Sequence, residues 1–513
     1  MRYLVTGKEM KEIDKRSIEE FGIPSMVLME RAALEVAKKA EEILKKKEAG
    51  TGKKGTVWAV CGLGNNGADG VAAVRMLFLH GFCVSVILPG AEGRKSEEME
   101  AQLAIAGKLK IPVFTAEDFI PGSCDLIIDA VFGIGLSRNV EGPYEALIDL
   151  MRTQKDAAVV SVDIPSGINS DTGAVMGCAV QADVTVTFGE KKLGQALFPG
   201  REACGELLVA DIGFVPEEKE KAGTHALCHT REDLKKIPKR KPDSHKGTYG
   251  KILVIAGSPG MAGAAYFSAL AAYRTGAGLV KAVTPEENRS VLQGLLPEAV
   301  LSTYETEQAV REPEEFREYL KKQTDWADVI VLGPGIGVSE CGRIMVEAVL
   351  KNAYVPVILD ADAINLAARY PHLKGYFTEN IMLTPHLSEF SRLSGQSVEE
   401  TKENLVSAAK GLSDQYGATC VLKDAATVTA RKDGKVFVNT SGSPAMAKGG
   451  SGDVLTGIIA GLLALGMDEC EAASLGVYVH GLAGERAAEK FGVHSVLASQ
   501  IADCVGEVIN ETV

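Results

Sequence analysis

Residues 56–81 read TVWAVCGLGNNGADGVAAVRMLFLHG, and their order decides the fold. Thr56 to Cys61 is a β-branched, apolar run with no polar alternation. Gly62, Gly64 and Gly67 then crowd a turn that also carries Asn65, Asn66 and Asp69. From Asp69 to Gly81 the text is helical. A strand apolar on both faces must be covered on both faces, which a parallel sheet flanked by helices provides. The same strand–turn–helix grammar recurs at 83–90 (CVSVILPG), 125–133 (DLIIDAVFG), 157–167 (AAVVSVDIPSG) and 184–192 (VTVTFGEKK). Upstream, 8–47 has helical periodicity, with Met10, Ile13, Ile18, Met26, Met29, Ala33 and Val36 on helix spacing.

From Pro216 the chain turns charged and rich in Pro and Gly, which predicts a linker over 216–240 between domains at 1–215 and 241–513. His225, Cys228 and His229 fall there without a fourth ligand and read as incidental. The strand grammar then restarts at 251–260 (KILVIAGSPG), 278–285, 328–337 (DVIVLGPGIG), 356–366 (PVILDADAINL), 381–390 (IMLTPHLSEF) and 418–427 (ATCVLKDAAT). The expected architecture is α/β: two tandem doubly wound domains whose strand-end motifs differ.

The 513 residues carry 46% apolar and 24% charged residues, ordinary for a globular protein. The net charge of −13 argues against a general nucleic-acid binder. Ten cysteines form no CxxC pair, and free thiols in a reducing cytoplasm are expected. Neither a signal peptide nor a ~20-residue apolar span is visible. Small-molecule partners, no membrane or nucleic acid, and a homo-oligomer are the expectation.

Gly62, Gly64 and Gly67 formally match a dinucleotide fingerprint, in which backbone amides and a helix N-terminus approach a phosphate. The acidic residue expected ~20 positions on is missing, with Glu92 a poor substitute. Asn65, Asn66 and Asp69 add side-chain oxygens that such a cradle does not need. Asp129 and Asp163 each end an apolar strand, where a carboxylate is partly desolvated. Each is either a functional group or a cap or turn residue. With Asn66 they could surround a monovalent cation with hard oxygen ligands.

In the second half, 445–466 reads AMAKGGSGDVLTGIIAGLLALG. Gly449, Gly450, Ser451 and Gly452 expose the free amides of a helix start to an anion. Asp453 either caps that helix or takes a proton from a hydroxyl beside the bound phosphate. Lys423, with Asp424, Ala425, Ala426 and Thr427, ends another strand near the expected phosphates. Gly-rich turns at 257–265, containing Ala264, and at 333–337, ending in Gly337, complete the nucleotide side. His386 at a strand end is a substrate-binding candidate, and Lys448 is either a phosphate contact or a solvated lysine.

The motifs at 29–33 (MERAA), 65–70 (NNGADG), 129–144 (DAVFGIGLSRNVEGPY) and 163–173 (DIPSGINSDTG) resemble the NAD(P)H-hydrate epimerase family over nearly all of 1–215. That resemblance implies potassium held by Asn66, Asp129 and Ser166. It implies substrate binding by Asn65, Asn66, Gly67, Ala68 and Asp69, by the loop Gly133, Ile134, Gly135, Leu136, Ser137, Arg138 and Asn139, and by Tyr144 and Asp163. Asp163 is its acid/base candidate. One departure is Ala68 where the family has Gly, a methyl that changes loop geometry slightly. The second half resembles the ribokinase-like superfamily, and within it the ADP/ATP-dependent NAD(P)H-hydrate dehydratases, over roughly 240–510, on 276–280 (GAGLV), 333–337, 360–366, 383–390, 422–427 and 447–456. This implies Asp453 as base, the Gly449–Gly452 amides and the 423–427 segment on the nucleotide, Ala264, Gly337 and His386 on the substrate, and Mg²⁺ with ADP or ATP. The whole chain resembles the bifunctional NAD(P)H-hydrate repair enzymes. The alternatives are a small-molecule kinase with a regulatory first domain, or a non-catalytic nucleotide sensor.

Overall fold

The structure is a computed structural model describing residues 1–90, 93–215 and 226–511. Glu92 and the 216–225 part of the predicted linker, including His225, lie outside the described residues. Two compact units emerge, Tyr3–Ala226 and Leu227–Val513, the latter with Met1–Arg2.

In the first unit one sheet is built, among the described residues, from seven strands in chain order: β1 (Thr56–Cys61), β2 (Cys83–Leu88), β3 (Val113–Thr115), β4 (Leu126–Ala130), β5 (Ala158–Val162), β6 (Val184–Phe188) and β7 (Glu206–Ala210). They lie side by side as β3-β2-β1-β4-β5-β6-β7, and every pairing is parallel. Alternate residues of one strand serve opposite faces. Val57, Ala59 and Cys61 join the core under the helices Ser25–Thr51 and Asn65–Leu79, while Trp58 and Val60 join the core under Pro143–Thr153. That double burial is why β1 reads as a continuous apolar run. The strand order reverses between β1 and β4, so the crevice beyond their carboxyl ends is the natural ligand site. The helical text at 8–47 divides into two helices, Gly7–Glu19 and Ser25–Thr51, because Gly22 at φ +71° and Pro24 interrupt it.

The second unit contributes β8 (Lys251–Ile255), β9 (Leu279–Pro285), β10 (Val300–Tyr304), β11 (Val329–Leu332), β12 (Val357–Leu359), β13 (Ile381–Leu383), β14 (Thr419–Leu422), β15 (Val428–Ala430) and β16 (Val436–Val438). Their order is β10-β9-β8-β11-β12-β13-β14-β15-β16, parallel as far as β14 and antiparallel beyond it. One face is covered by the helices Ala262–Thr275 and Ser451–Ala464. These two pack closely because Gly457 and Gly461 present no side chain. A Cβ on Gly457 would sit 2.3 Å from the Ser268 carbonyl oxygen, and one on Gly461 2.5 Å from Thr275 Cβ. Residues 227–240 belong to this unit's body, with Leu234 and Ile237 buried in its core. His229 is buried too, its ring stacked on Phe437 at 4.6 Å and with no hydrogen bond to either nitrogen. Among the described residues no helix is long and apolar enough to cross a membrane.

Candidate functional site

In the first unit a cavity of about 610 Å³ opens beyond the carboxyl ends of β1 and β4. Asn65 and Asn66 reach it from the first turn of the helix after β1, and Asp69 from the second; Gly133, Ile134, Gly135 and Leu136 reach it from the loop after β4. Tyr144 and Asp163 complete the predicted residues on its wall. Gly67 does not line it and instead lets the turn close: a Cβ there would sit 2.0 Å from the Gly62 carbonyl oxygen. Ala68 does not line it either, because its methyl points into the core beneath the helix. The extra carbon is therefore absorbed by packing on the side away from the cavity. Ser137, Arg138 and Asn139 are exposed and stand off the cavity wall.

Asp163 ends β5 at φ +66°, a left-handed conformation uncommon for a residue with a Cβ and concentrated at functional positions. Lys192 fixes it there. This lysine is wholly buried, and its ammonium donates to Asp163 Oδ1 at 2.5 Å, Thr187 Oγ1 at 2.8 Å and the Phe188 carbonyl at 2.9 Å. Thr187 Oγ1 also donates to Asp163 Oδ1 at 3.0 Å, and Gln195 Nε2 to the Asp163 carbonyl at 2.6 Å. Parallel pairing of Lys191–Lys192 with Leu4–Val5 sets the lysine's position. A buried ammonium is tolerable only when its three donors are all used, and here they are.

Asp129 is completely buried. Its Oδ2 accepts from Ser161 Oγ at 2.7 Å and from the Ser166 amide at 2.9 Å, while Oδ1 has no partner. Burial pushes its carboxyl above the usual range, and the Ser166 and Ser161 donors work against that rise. Asn66 Nδ2 is buried without a partner as well. Since amide oxygen and nitrogen are interchangeable by a flip, Asn66 and Asp129 each offer a spare buried ligand atom here.

In the second unit the strand ends again converge. Lys423, just past β14, bonds Asp360 Oδ1 at 2.6 Å; Asp360, just past β12, also accepts from Thr384 Oγ1 at 2.8 Å and Thr456 Oγ1 at 3.3 Å. Burial works against the Lys423 charge, but the carboxylates of Asp360, Glu389 and Asp453 outweigh it and raise its affinity for the proton. Ala361 follows at φ +49°. The helix Ser451–Ala464 starts from Gly450 in the left-handed region, where a Cβ would meet Phe267 and Ala498. Gly452 lies against Lys423, with a hypothetical Cβ 3.3 Å from the ammonium, while Gly449 is open.

Asp453 makes no capping bond to this helix; it stands in the first turn beside the Lys423–Asp360 pair. Its carboxyl is pushed up to about 7, mainly by burial and then by the Asp360 charge, with Lys423 opposing. A carboxyl at that value changes protonation near neutral pH, as a working base does. Behind it, His480 is buried 3.3 Å from Ser451 Oγ and held neutral, at about 4, by burial and Lys423.

The remaining predicted residues make contacts of their own. Gly337 donates its amide to Asp362 Oδ2 at 2.9 Å. A Cβ on Gly335 would sit 3.0 Å from the Ala264 methyl, so Ala264 adjoins the 333–337 turn. Thr427 Oγ1 donates to the Asp424 carbonyl at 3.1 Å, closing the 424–427 turn that contains Ala425 and Ala426. Lys448 donates to the His494 carbonyl at 2.8 Å. His386 caps the helix Leu387–Ser394: Nδ1 accepts from the Ser388 amide and Nε2 lies 3.2 Å from Glu389 Oε1. Both ring nitrogens are engaged locally, and the ring is half exposed.

Sequence reasoning did not single out Lys192, Asp360 or His480, nor Asp14, which also lines the first unit's cavity. Lys192 is the second of two lysines after a strand, a pattern that ordinarily marks a surface. Asp360 ends an apolar strand as Asp129 and Asp163 do, and that signal was available.

A family model described as NAD(P)H-hydrate dehydratase matches residues 252–506, and one described as YjeF-related protein N-terminus matches 25–194. The bifunctional NAD(P)H-hydrate repair enzyme Nnr of Moorella thermoacetica is 35% identical over 523 residues, spanning 99% of this chain and 96% of its own. The protein of the same description from Thermofilum pendens is 37% identical over 491 residues, spanning 94% and 92%. A solved ADP/ATP-dependent NAD(P)H-hydrate dehydratase from Bacillus subtilis, co-crystallised with ATP/Mg²⁺, is 33% identical, covers 55% of this chain and 97% of that one, and superposes with TM-score 0.47.

Proposed function

This chain belongs to the family of bifunctional NAD(P)H-hydrate repair enzymes, and on that premise we propose how its two units divide the work. Reduced nicotinamide that has added water at C6 exists as two epimers and cannot donate hydride. The unit Tyr3–Ala226 interconverts the epimers. The unit Leu227–Val513 dehydrates the S form with ADP or ATP as phosphoryl donor, releasing AMP or ADP and phosphate.

Hydroxide is a poor leaving group, so the dehydration needs the C6 oxygen activated. Asp453 takes the proton of the C6 hydroxyl, and the oxygen attacks the terminal phosphoryl group. The amides of Gly449 to Gly452, at a helix N-terminus, stabilise the charge on the transferring group. Lys423, held by Asp360, adds a fixed positive charge beside them. The ring nitrogen's electron pair then expels phosphate and restores NAD(P)H. The observation that carries this reading is Asp453: a carboxyl in a helix's first turn, not capping it, and poised at about 7 beside a lysine. Among the described residues no group of three or more His, Cys, Asp or Glu could hold a metal ion. Mg²⁺ keeps several waters and would bind here chiefly through the nucleotide phosphates. When bound, it neutralises phosphate charge.

In the first unit Asn66, Asp129 and Ser166 would hold potassium, and the buried, unpaired Asp129 oxygen fits that role. Bound there, the ion would supply a fixed positive charge next to the substrate cavity. Asp163, clamped by Lys192, carries out proton transfer at the hydrate, between Tyr144 and the Asn65–Asp69 turn.

The test uses a mixture of both hydrate epimers with ADP or ATP. The wild-type chain should restore reduced-nicotinamide absorbance completely. Asp163→Asn should stop once the S form is consumed, leaving the R form unrepaired. Complete repair by that variant at the wild-type rate would overturn the assignment of Asp163.

A further inference from the structure

Two carboxyls face the epimerase cavity in opposite surroundings. Asp163 has one oxygen saturated by Lys192, Thr187 and the Phe188 amide, so its negative charge is matched; among the described residues no hydrogen bond reaches its Oδ2. Asp69, on the helix after β1, has no hydrogen bond at all among the described residues. Among the described residues no lysine, arginine or histidine pairs with it, and the carboxylates of Asp163, Asp14 and Glu98 act on it. Lys11, Arg94 and Lys192 complete the charged groups of the cavity wall. Burial first, and then the charges of Asp163, Asp14 and Glu98, raise this carboxyl well above the usual range, and no donor works against that rise.

We propose that Asp69 and Asp163 act as an unlike pair in epimerisation, Asp69 donating a proton and Asp163 accepting one. The proposal rests on the epimerase reading given above. Asp69 gives its proton to the C6 hydroxyl as the C6–O bond breaks and water leaves. The electron pair of the adjacent ring nitrogen forms a C=N bond, and the resulting ring cation faces the Asp163 carboxyl that Lys192 holds. Water then adds to C6 from the other face and forms a new C6–O bond. Its surplus proton passes to Asp163, and the electron pair returns to nitrogen. Nothing is oxidised or reduced; one proton has moved from Asp69 to Asp163, and exchange with solvent resets the pair. One carboxyl paired to a buried lysine and a second with no cation or donor beside it give one site both an acceptor and a donor of protons.

The experiment measures R-to-S interconversion of the hydrate by the full-length protein, without nucleotide, between pH 5 and 10. Wild type should show a rate that falls on the alkaline side as Asp69 loses its proton. Asp69→Asn should be slower by at least ~100-fold, its remaining rate free of that alkaline fall. Asp69→Glu, which restores an acid, should recover part of the rate and the alkaline fall with it. Thermal unfolding of each variant checks that the first unit is intact. If Asp69→Asn stays within a few-fold of wild type, or keeps the alkaline fall, Asp69 is not the donor. If Asp14→Asn alone removes that fall, the donor is Asp14 and the proposal is overturned. Failure of the underlying epimerase reading shows separately, as no interconversion by the wild-type chain at any pH.

Discussion

Replacing Asp453 by asparagine should cost the protein its dehydration chemistry and make it more stable. In the folded chain this carboxyl is pushed from 3.8 to about 7, chiefly by burial and by the charge of Asp360. Its folded form therefore holds a proton more tightly than its unfolded form. Between pH 4 and 7 the folded state binds more protons, so stability falls as pH rises across that window; above it the full penalty is present. About three units at 1.36 kcal/mol each set an upper limit near 4 kcal/mol. Because Asp453 keeps some access to solvent, ~2 kcal/mol is the working figure. Asparagine has nearly the same shape and no charge, so it escapes the penalty. At roughly 2–4 °C per kcal/mol for a unit of this size, Asp453→Asn should raise the second unit's unfolding temperature by roughly 4–8 °C at pH 8 and leave it unchanged near pH 4. The assay is thermal unfolding of both full-length proteins at the two pH values. The second unit's transition is identified by its upward shift with added nucleotide. A variant no more stable than wild type at pH 8, or equally stabilised at both pH values, would refute the electrostatic picture of this site.

Other outcomes follow from the same geometry. The dehydration rate of wild type should rise with pH through about 7, because only ionised Asp453 accepts a proton; a profile flat from pH 5 to 9 would contradict its role as base. Lys192→Met should destabilise the first unit by ~3–5 kcal/mol, since it leaves the Asp163 carboxylate buried without its cation. Adding Asp163→Asn should return part of that loss, as denaturant titration of the single and double variants would show. Gly457→Ala should destabilise the second unit by ~1–3 kcal/mol, because its methyl would press on the Ser268 carbonyl across the helix pair. Epimerisation should be faster in potassium than in tetramethylammonium buffer, and Asp129→Asn should abolish the difference.

The double apolarity of β1 and the Gly-rich turns after it made the parallel sheets legible, because a strand buried on both faces has no alternation to hide behind. Edge strands were less legible. Glu206–Ala210 and Val300–Tyr304 are half exposed and carry a mixed pattern that also suits a loop. At the sites, residues adjacent in sequence could be grouped by eye: Gly449 to Asp453 is one turn of chain. Partners far apart could not. Lys423 meets Asp360 across 63 positions, and Lys192 meets Asp163 across 29, through the order in which strands line up. Lys192 was further hidden by its chemistry, since a lysine after a strand is normally solvated and only the fold shows it buried. His386 is the converse case: it stands among site residues, yet its ring nitrogens serve the start of its own helix.

The most direct test of the account gives pure S-hydrate and ADP or ATP to wild type and to Asp453→Asn, and counts product. Wild type should form one reduced nicotinamide for each phosphate released, and the variant should form neither at a measurable fraction of that rate. A stable phosphorylated nicotinamide from wild type, or comparable turnover by Asp453→Asn, would contradict it.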